Sequence, residues 1–336
     1  MGERRVSGDP GDRGRAAPDR VGERRVSGDT GDSGRAAPDR VGERRVSGDP
    51  GNGGRAAPDR VGERYGPWAL VVGASDGIGA AFARALAARG LNVVLVGRRG
   101  PLLDELARRL RAAHGVQARS AAIDAAAPGG AEAVLRTVAG LDCGLLVCNA
   151  ALAPVGPFLA LTPAQVDGVL DLNCRLAAHL SHALGGRLAR RGRGGIILLS
   201  SMAGQQGAAL VAHYAATKAY LRVLAEGLWA ELGPSGVDVL ACCPGLVRTP
   251  TLARSRPAPA GPLVPPPMSP ERVVRESLAA LGRRPVLIPG RRNRMAAFAM
   301  QRLLSRRAAV ALASATTRAM YPRESRRSVP AAGPDG

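Results

Sequence analysis

Lysine is almost missing from this chain. Of its 47 basic residues 46 are arginine, and Lys218 is the one lysine. A position that keeps an ammonium against such a bias points to chemistry that a wide, planar guanidinium does not serve. Aromatic residues are scarce as well, at 3% of 336 residues. The basic C-terminal stretch therefore lacks the interleaved stacking side chains of a single-stranded nucleic-acid platform, and no specific nucleic-acid partner is expected. No uncharged apolar run reaches the roughly 18 residues of a membrane-spanning helix. Residues 1–10 carry Glu3, Arg4, Arg5 and Asp9 in place of the apolar core of a secretory signal. The five cysteines (143, 148, 174, 242 and 243) are odd in number and lie in apolar or helical surroundings. They fit a reducing compartment, and a cytoplasmic protein, better than a disulfide framework. His114, His179, His182 and His213 show no metal-ligand spacing, so no metal is expected. A G-x-S-x-G elbow is missing around Ser201, which argues against hydrolase chemistry.

What is present is unevenly distributed. The net charge is +20. Residues 1–64 hold 14 Arg against 12 acids, whereas residues 248–336 hold 17 Arg against 4 acids, an excess of 13. Residues 2–21, 22–41 and 42–61 repeat GERRVSGD-x-G-x-x-GRAAPDRV with a period of 20. Each copy is Gly, Arg, Asp and Pro with two Val and no aromatic, too polar to pay the entropy of folding. Residues 1–64 are accordingly expected to be disordered tandem repeats that add nothing to the fold. Residues 291–336 are expected to be a basic helical appendage, able to touch anionic membrane surfaces peripherally or to pack in an oligomer.

Between them, residues 65–290 alternate short apolar runs with amphipathic helices. Strands are expected at Trp68–Val72, Leu91–Val96, Val116–Ile123, Leu145–Cys148, Ile196–Ser200, Val237–Cys242 and Val286–Ile288. Helices are expected to follow from Gly77, Pro101, Gly130, Thr162 (reaching about Arg191), His213 and Pro270, with a last one from Asn293 to about Met320. This alternation describes an α/β doubly wound parallel sheet of the Rossmann type, about seven strands with helices on both faces.

Three features carry chemistry. Gly73-Ala-Ser75-Asp-Gly77-Ile78-Gly79 falls at the first strand-to-helix junction, where glycine lets the backbone approach a pyrophosphate at a helix N-terminus. The second strand ends in Gly97-Arg98-Arg99 with no acid to hold a ribose 2′-hydroxyl, and an arginine fork suits a 2′-phosphate; NADP is expected rather than NAD. Tyr214 and Lys218 stand at i and i+4 on a helix, so phenol and ammonium share one face, and the ammonium is expected to lower the phenol pKa for acid/base work. With 4 Tyr in the chain, chance puts the lone Lys there only about 1% of the time. Ser201, past the fifth strand, falls where a parallel strand opens into the ligand crevice.

Together these residues resemble the short-chain dehydrogenase/reductase family over about residues 66–290. The resemblance implies that Gly73, Ser75, Gly77, Ile78 and Gly79 form the cofactor turn and that Arg98 meets the cofactor phosphate. It implies that Asp124 meets the adenine amino group and that Asn149, in Cys148-Asn149-Ala150-Ala151, braces the sheet beside the cofactor. Pro244, Gly245 and Thr249 match the segment whose Thr contacts the nicotinamide carboxamide. Asn173, Ser201, Tyr214 and Lys218 match the catalytic set, with Asn173 positioning a relay water and Lys218 binding the ribose. Val72 and Ala151 depart from the Thr and Gly of many members, near the cofactor and away from the relay. The implied activity is NADP-dependent reduction of a small-molecule carbonyl, or the reverse oxidation of an alcohol, by a homo-oligomer (dimer or tetramer). A non-catalytic NADP-binding sensor or scaffold is the rival reading, and the retained Tyr214 and Lys218 count against it.

Overall fold

A computed structural model describes residues 61–259, 261 and 264–322 of the chain. The repeats over residues 1–60 and the end of the basic tail lie outside the described residues, and so do the expectations attached to them.

The expected sheet is present. Seven parallel strands, β1 (Trp68–Val72), β2 (Asn92–Gly97), β3 (Ala118–Ala122), β4 (Cys143–Cys148), β5 (Gly194–Leu199), β6 (Val237–Cys242) and β7 (Val286–Leu287), lie in the order 3-2-1-4-5-6-7. Its central strands β1, β4 and β5 are buried along their whole length, which is why they read as continuous apolar runs rather than alternating ones. Successive residues of β1 still part to opposite faces. Ala69 and Val71 join α2 (Gly77–Ala87), α3 (Gly100–His114) and α9 (Pro270–Ala280) in one core layer. Trp68, Leu70 and Val72 join α4 (Gly130–Arg136), α6 (Leu176–Arg191) and α7 (Ala212–Leu232) in the other. The chain order reverses between β1 and β4, so their C-terminal ends open the crevice of a doubly wound sheet.

The long helix expected from Thr162 to about Arg191 is continuous but not uniform. Thr162 caps α5 (Pro163–Leu170) with a reciprocal bond to Gln165. A π turn, Asp171–Arg175, then inserts an extra residue before α6. The helix expected over 293–320 is two. α10 (Arg291–Phe298) runs into a π turn at Ala299–Leu303, Leu304 becomes extended, and Ser305 caps a new helix, α11 (Arg306–Met320), by accepting from Ala308 N. The extended backbone at Leu304 ends one helical piece, and the cap at Ser305 starts the next.

The boundary expected at Tyr65 falls inside packed chain. Residues Val61–Tyr65 form a short helix, α1, with Val61 and Tyr65 buried. The Tyr65 hydroxyl donates to Asp238 Oδ2 on β6 at 2.7 Å, and Arg64 Nε donates to the same oxygen. Burial and the neighbouring carboxylate push the Tyr65 phenol up, so it remains a donor throughout the working pH range. Asp238→Ala should leave that buried hydroxyl without its acceptor. A loss of about 2 kcal/mol is expected, read as a fall in Tm of roughly 4–8 °C in thermal denaturation.

Candidate active site

A cleft of 1020 Å³ opens over the C-terminal ends of the strands, large enough for a dinucleotide with a second ligand beside it. All the candidate site residues named from the sequence except Asn173 and Gly79 line it. Those two sit behind its wall.

The glycine-rich turn is shaped by close backbone approach. Gly73 holds φ +83° and Gly77 φ +56°, conformations that disfavour a side chain. A Cβ on Gly73 would fall 2.6 Å from Ala150 N, and one on Gly79 would fall 2.0 Å from Gly73 O. Asn149 Nδ2 donates to Gly73 O at 2.8 Å, which ties the turn to the end of β4. Asp76 holds the N-cap position of α2, yet its side chain makes no capping bond. Its carboxylate is drawn to Arg99 Nη2 at 2.6 Å and lies 3.7 Å from Arg254 Nη2. The first amides of an 11-residue helix thus keep their donors for an anion, and the positive end of the helix dipole faces the cleft. These features fit a pyrophosphate.

Arg99 also donates to Ser75 Oγ at 2.9 Å. The two arginines after β2 are therefore unequal: Arg99 is held on the turn, whereas Arg98 is exposed along the cleft. Asp124 accepts from Ala126 N at 3.1 Å in the turn after β3. Thr249 caps α8 (Pro250–Arg254) by accepting from Leu252 N, and its methyl group lies against Gly77. Gly245 has no room for a Cβ, which would meet the Asn293 side chain at 2.8 Å.

The other wall is the first turn of α7. Ser200 Oγ donates to the Lys218 carbonyl at 2.6 Å, and Gly204 packs so tightly that a Cβ would come within 2.7 Å of the same residue's backbone. Lys218 is 2% exposed, and its Nζ donates to Leu199 O at 2.7 Å. Burial pulls its ammonium down to about 8. The nearby thiols of Cys148 and Cys243 are pushed up to about 12 and 11 by their own burial, so they are neutral and offer no counter-charge. The ammonium nitrogen lies 5.6 Å from the centre of the Tyr214 ring.

One expectation is corrected here, and another site residue is held more tightly than its sequence suggests. Tyr214 was expected to have its pKa lowered by Lys218. Burial instead pushes the phenol up, and the group that pulls it back is the Ser201 hydroxyl. The physical reason is that Lys218 directs its ammonium to the Leu199 carbonyl and is itself short of solvation. Asn173 was expected to position a water. Its Nδ2 donates both hydrogens, to Leu152 O and Thr217 Oγ1 (2.9 Å each), and its Oδ1 accepts from Leu152 N at 2.8 Å. The side chain spends both amide hydrogens within the protein and locks the π turn onto α7, where Thr217 donates onward to the Tyr214 carbonyl. Ser201 caps the turn Met202–Gln205 by accepting from Ala203 N at 3.1 Å, so it carries a structural bond as well as facing Tyr214.

Sequence reasoning missed Asp76, Arg254, Thr217 and Tyr321. Asp76 lay in plain view within the glycine motif, and its acid beside two arginines was the available signal. The others depend on contacts between distant segments.

The comparisons agree with this geometry. The family model for short chain dehydrogenase matches residues 67–260. A 7beta-hydroxysteroid dehydrogenase of Clostridium sardiniense is 33% identical over 231 residues, 69% of this chain and 88% of its own length. A very-long-chain 3-oxoacyl-CoA reductase of Podospora anserina is 35% identical over 55% of this chain and 56% of its own. A solved structure described by 7beta-hydroxysteroid dehydrogenase stereoselectivity superposes with a TM-score of 0.71 at 30% identity, covering 75% of this chain and 98% of the other. A short-chain dehydrogenase from Sphingobium yanoikuyae in complex with NADPH superposes at 0.61 and 33%, covering 66% and 86%. With the glycine turn, the parallel sheet and the Ser-Tyr-Lys wall all in place, the chain belongs to the short-chain dehydrogenase family and is an NAD(P)-dependent oxidoreductase.

Proposed function

We propose that the protein reduces a bulky, largely apolar ketone with NADPH. The observation that carries this reading is one cleft in which Ser201, Tyr214 and Lys218 face the glycine turn, with an apolar remainder that includes Leu152, Val155, Met202, Val211 and Val264. Support for the substrate class comes from the 7beta-hydroxysteroid dehydrogenase of Clostridium sardiniense and from a similar structure described as a bulky-bulky ketone specific alcohol dehydrogenase from Comamonas testosteroni.

The reduced nicotinamide supplies the hydride when it is bound. The chain's own residues do the rest. Tyr214, with its phenol pushed up and so protonated, delivers a proton from its hydroxyl to the carbonyl oxygen. Ser201 holds that oxygen and steadies the phenol as it loses the proton. Lys218 spends one donor on Leu199 and keeps two for the ribose hydroxyls. A sensor or scaffold would have no use for so confined an ammonium.

NADP choice rests on Arg98, on Arg99 held over Ser75, and on the missing acid after β2. NADPH is expected to bind at least tenfold tighter than NADH, about 1.4 kcal/mol. Arg98→Asp should erode that preference, as titrated by cofactor fluorescence. NADH binding equal to NADPH in the native protein overturns it.

The basic C-terminal face is read as a peripheral contact with anionic membranes. Met295, Phe298 and Leu303 are 69%, 61% and 71% exposed among Arg291, Arg292, Arg294, Arg302, Arg306 and Arg307. Leu170, Tyr220, Val223 and Trp229, exposed on α5 and α7, suit contact with a second copy. Flotation at low salt should bring the protein up with anionic but not neutral vesicles, and light scattering should give a dimer or tetramer.

Lys218→Arg should lower kcat/KM at least 10²-fold, about 2.7 kcal/mol, because a guanidinium must enter a site sized and solvated for an ammonium. Tyr214→Phe should fall at least as far, and the double variant should lose little more, since both act through one relay. In the native enzyme kcat/KM for reduction should decline as pH rises through about 8, where the buried Lys218 loses its charge while Tyr214 keeps its proton. Steady-state kinetics across pH 6–10, with circular dichroism for folding, test these expectations. A folded Lys218→Arg enzyme of native activity would sink the relay.

A further inference from the structure

The C-terminal helices read from sequence as an appendage outside the catalytic domain. Their contacts put them on it. Ala209 N donates to Ser314 Oγ at 3.0 Å, and Arg306 Nη1 donates to Gln205 O at 3.0 Å. Gln301 and Gln205 bond through their side chains. Gln205 and Ala209 belong to the segment that joins Ser201 to Tyr214. Residues 301–314 thereby grip the stretch of chain with the oxygen-holding serine at one end and the proton donor at the other.

That stretch is strained at one residue. Leu210 holds φ +68°, and among the described residues other than glycine Arg256 alone shares a positive φ with it. The left-handed region crowds a Cβ against the backbone, so a leucine stays there only where its surroundings leave it no alternative. Those surroundings are identifiable. Gly156 N, in the loop after β4, donates to Leu210 O at 2.8 Å. Ser314 Oγ holds the preceding residue through its amide, and the Leu210 side chain is itself buried. Val211 comes next and lines the cleft. It occupies the N-cap position of α7 without a side-chain capping bond. The turn at Leu210 is therefore what aims the first residues of α7, and Tyr214 is the third of them. On the α11 side, Ser314 is the one hydroxyl among the buried residues, the others being Ala309 and Met320. Packing alone would be served by an apolar side chain there.

We propose that Ser314 is a positioning residue for the proton transfer. It acts through Leu210: by accepting from Ala209 it holds the left-handed turn that aims Tyr214 at the oxygen held by Ser201. The inference rests on the relay read above and extends it, since it makes the C-terminal helix a working part of the catalytic wall. Misplacing a reacting group by about 1 Å can cost roughly 10²-fold in rate. A single hydrogen bond between residues 105 apart in the chain can reach the chemistry in that way.

The test uses the full chain with NADPH and two ketones, a 7-oxo steroid and cyclohexanone. Ser314→Ala removes the acceptor and suits a helix. It should lower kcat at least fivefold for both ketones, with KM and NADPH affinity changed less than twofold. It should also enlarge the solvent deuterium isotope effect on kcat, because proton delivery becomes the slow step. A merely structural role would lower Tm and leave that isotope effect unmoved. Leu210→Gly removes the strain that Ser314 opposes, since glycine holds a positive φ freely. In the Leu210→Gly background, Ser314→Ala should cost less than twofold in kcat. Equal losses in the two backgrounds, or an unchanged kcat in Ser314→Ala, overturn the proposal. Turnover of neither ketone by the native enzyme overturns the ketone reading instead. Hydrogen exchange then decides the hold on Tyr214, because it needs no substrate. Amides of residues 202–214 should exchange at least tenfold faster in Ser314→Ala than in the native protein, with α2 unchanged, and equal exchange overturns the proposal.

Discussion

An ammonium buried in the wall of the cleft sets the terms for everything around it. Lys218 is 2% exposed, is bonded to the Leu199 carbonyl, and makes no ion pair among the described residues. Removing a cation from water without a counter-ion is costly, and the structure confines the cost by holding α7 from several sides. Ser200 takes the Lys218 carbonyl, Gly204 packs against the Lys218 backbone, and the Asn173–Thr217 pair secures the turn above. The result is a helix end that cannot drift. Position, rather than an unusually acidic phenol, is what the fold supplies to Tyr214.

The opposite wall solves a related problem with the charges reversed. A helix N-terminus attracts any nearby carboxylate, and Asp76 is placed to cap α2 and occupy its amides. Arg99 and Arg254 draw that carboxylate aside. The same arginine that rests on Ser75 therefore has two effects: it adds positive potential at the mouth of the cleft and leaves the helix end open to an anion. The arrangement joins β2, the glycine turn and α8, three parts of the chain that sequence alone does not bring together.

What was legible in the sequence was local. The parallel sheet could be read from apolar runs because buried parallel strands lack alternation, and the glycine turn and the Tyr214/Lys218 pair because their spacing is itself the geometry. Interactions that close over long sequence separations were not legible. Tyr65 read as the first residue of a domain, although its hydroxyl and Arg64 clip the chain to Asp238, more than 170 residues away. The break at Leu304 was not read either, although Ser305 is a residue type that caps helices. The hold of Asn173 on Leu152 and Thr217 was not legible either, since residue type does not reveal which partners an amide meets.

The π turn at Asp171–Arg175 has a bearing on how such a protein can change. One surplus residue in the helix lets α5 and α6 be phased separately: α6 keeps Leu176, Leu180, Leu184 and Leu188 in register with the core, while α5 rests against the start of α7 through Val166 O and His213. The turn acts as a slip joint. Length or shape can be altered on the α5 side and absorbed within the five residues of the turn, without rotating the leucine stripe out of the core. The joint is pinned at Asn173, so the segment before the turn can vary in sequence while the leucine stripe stays fixed.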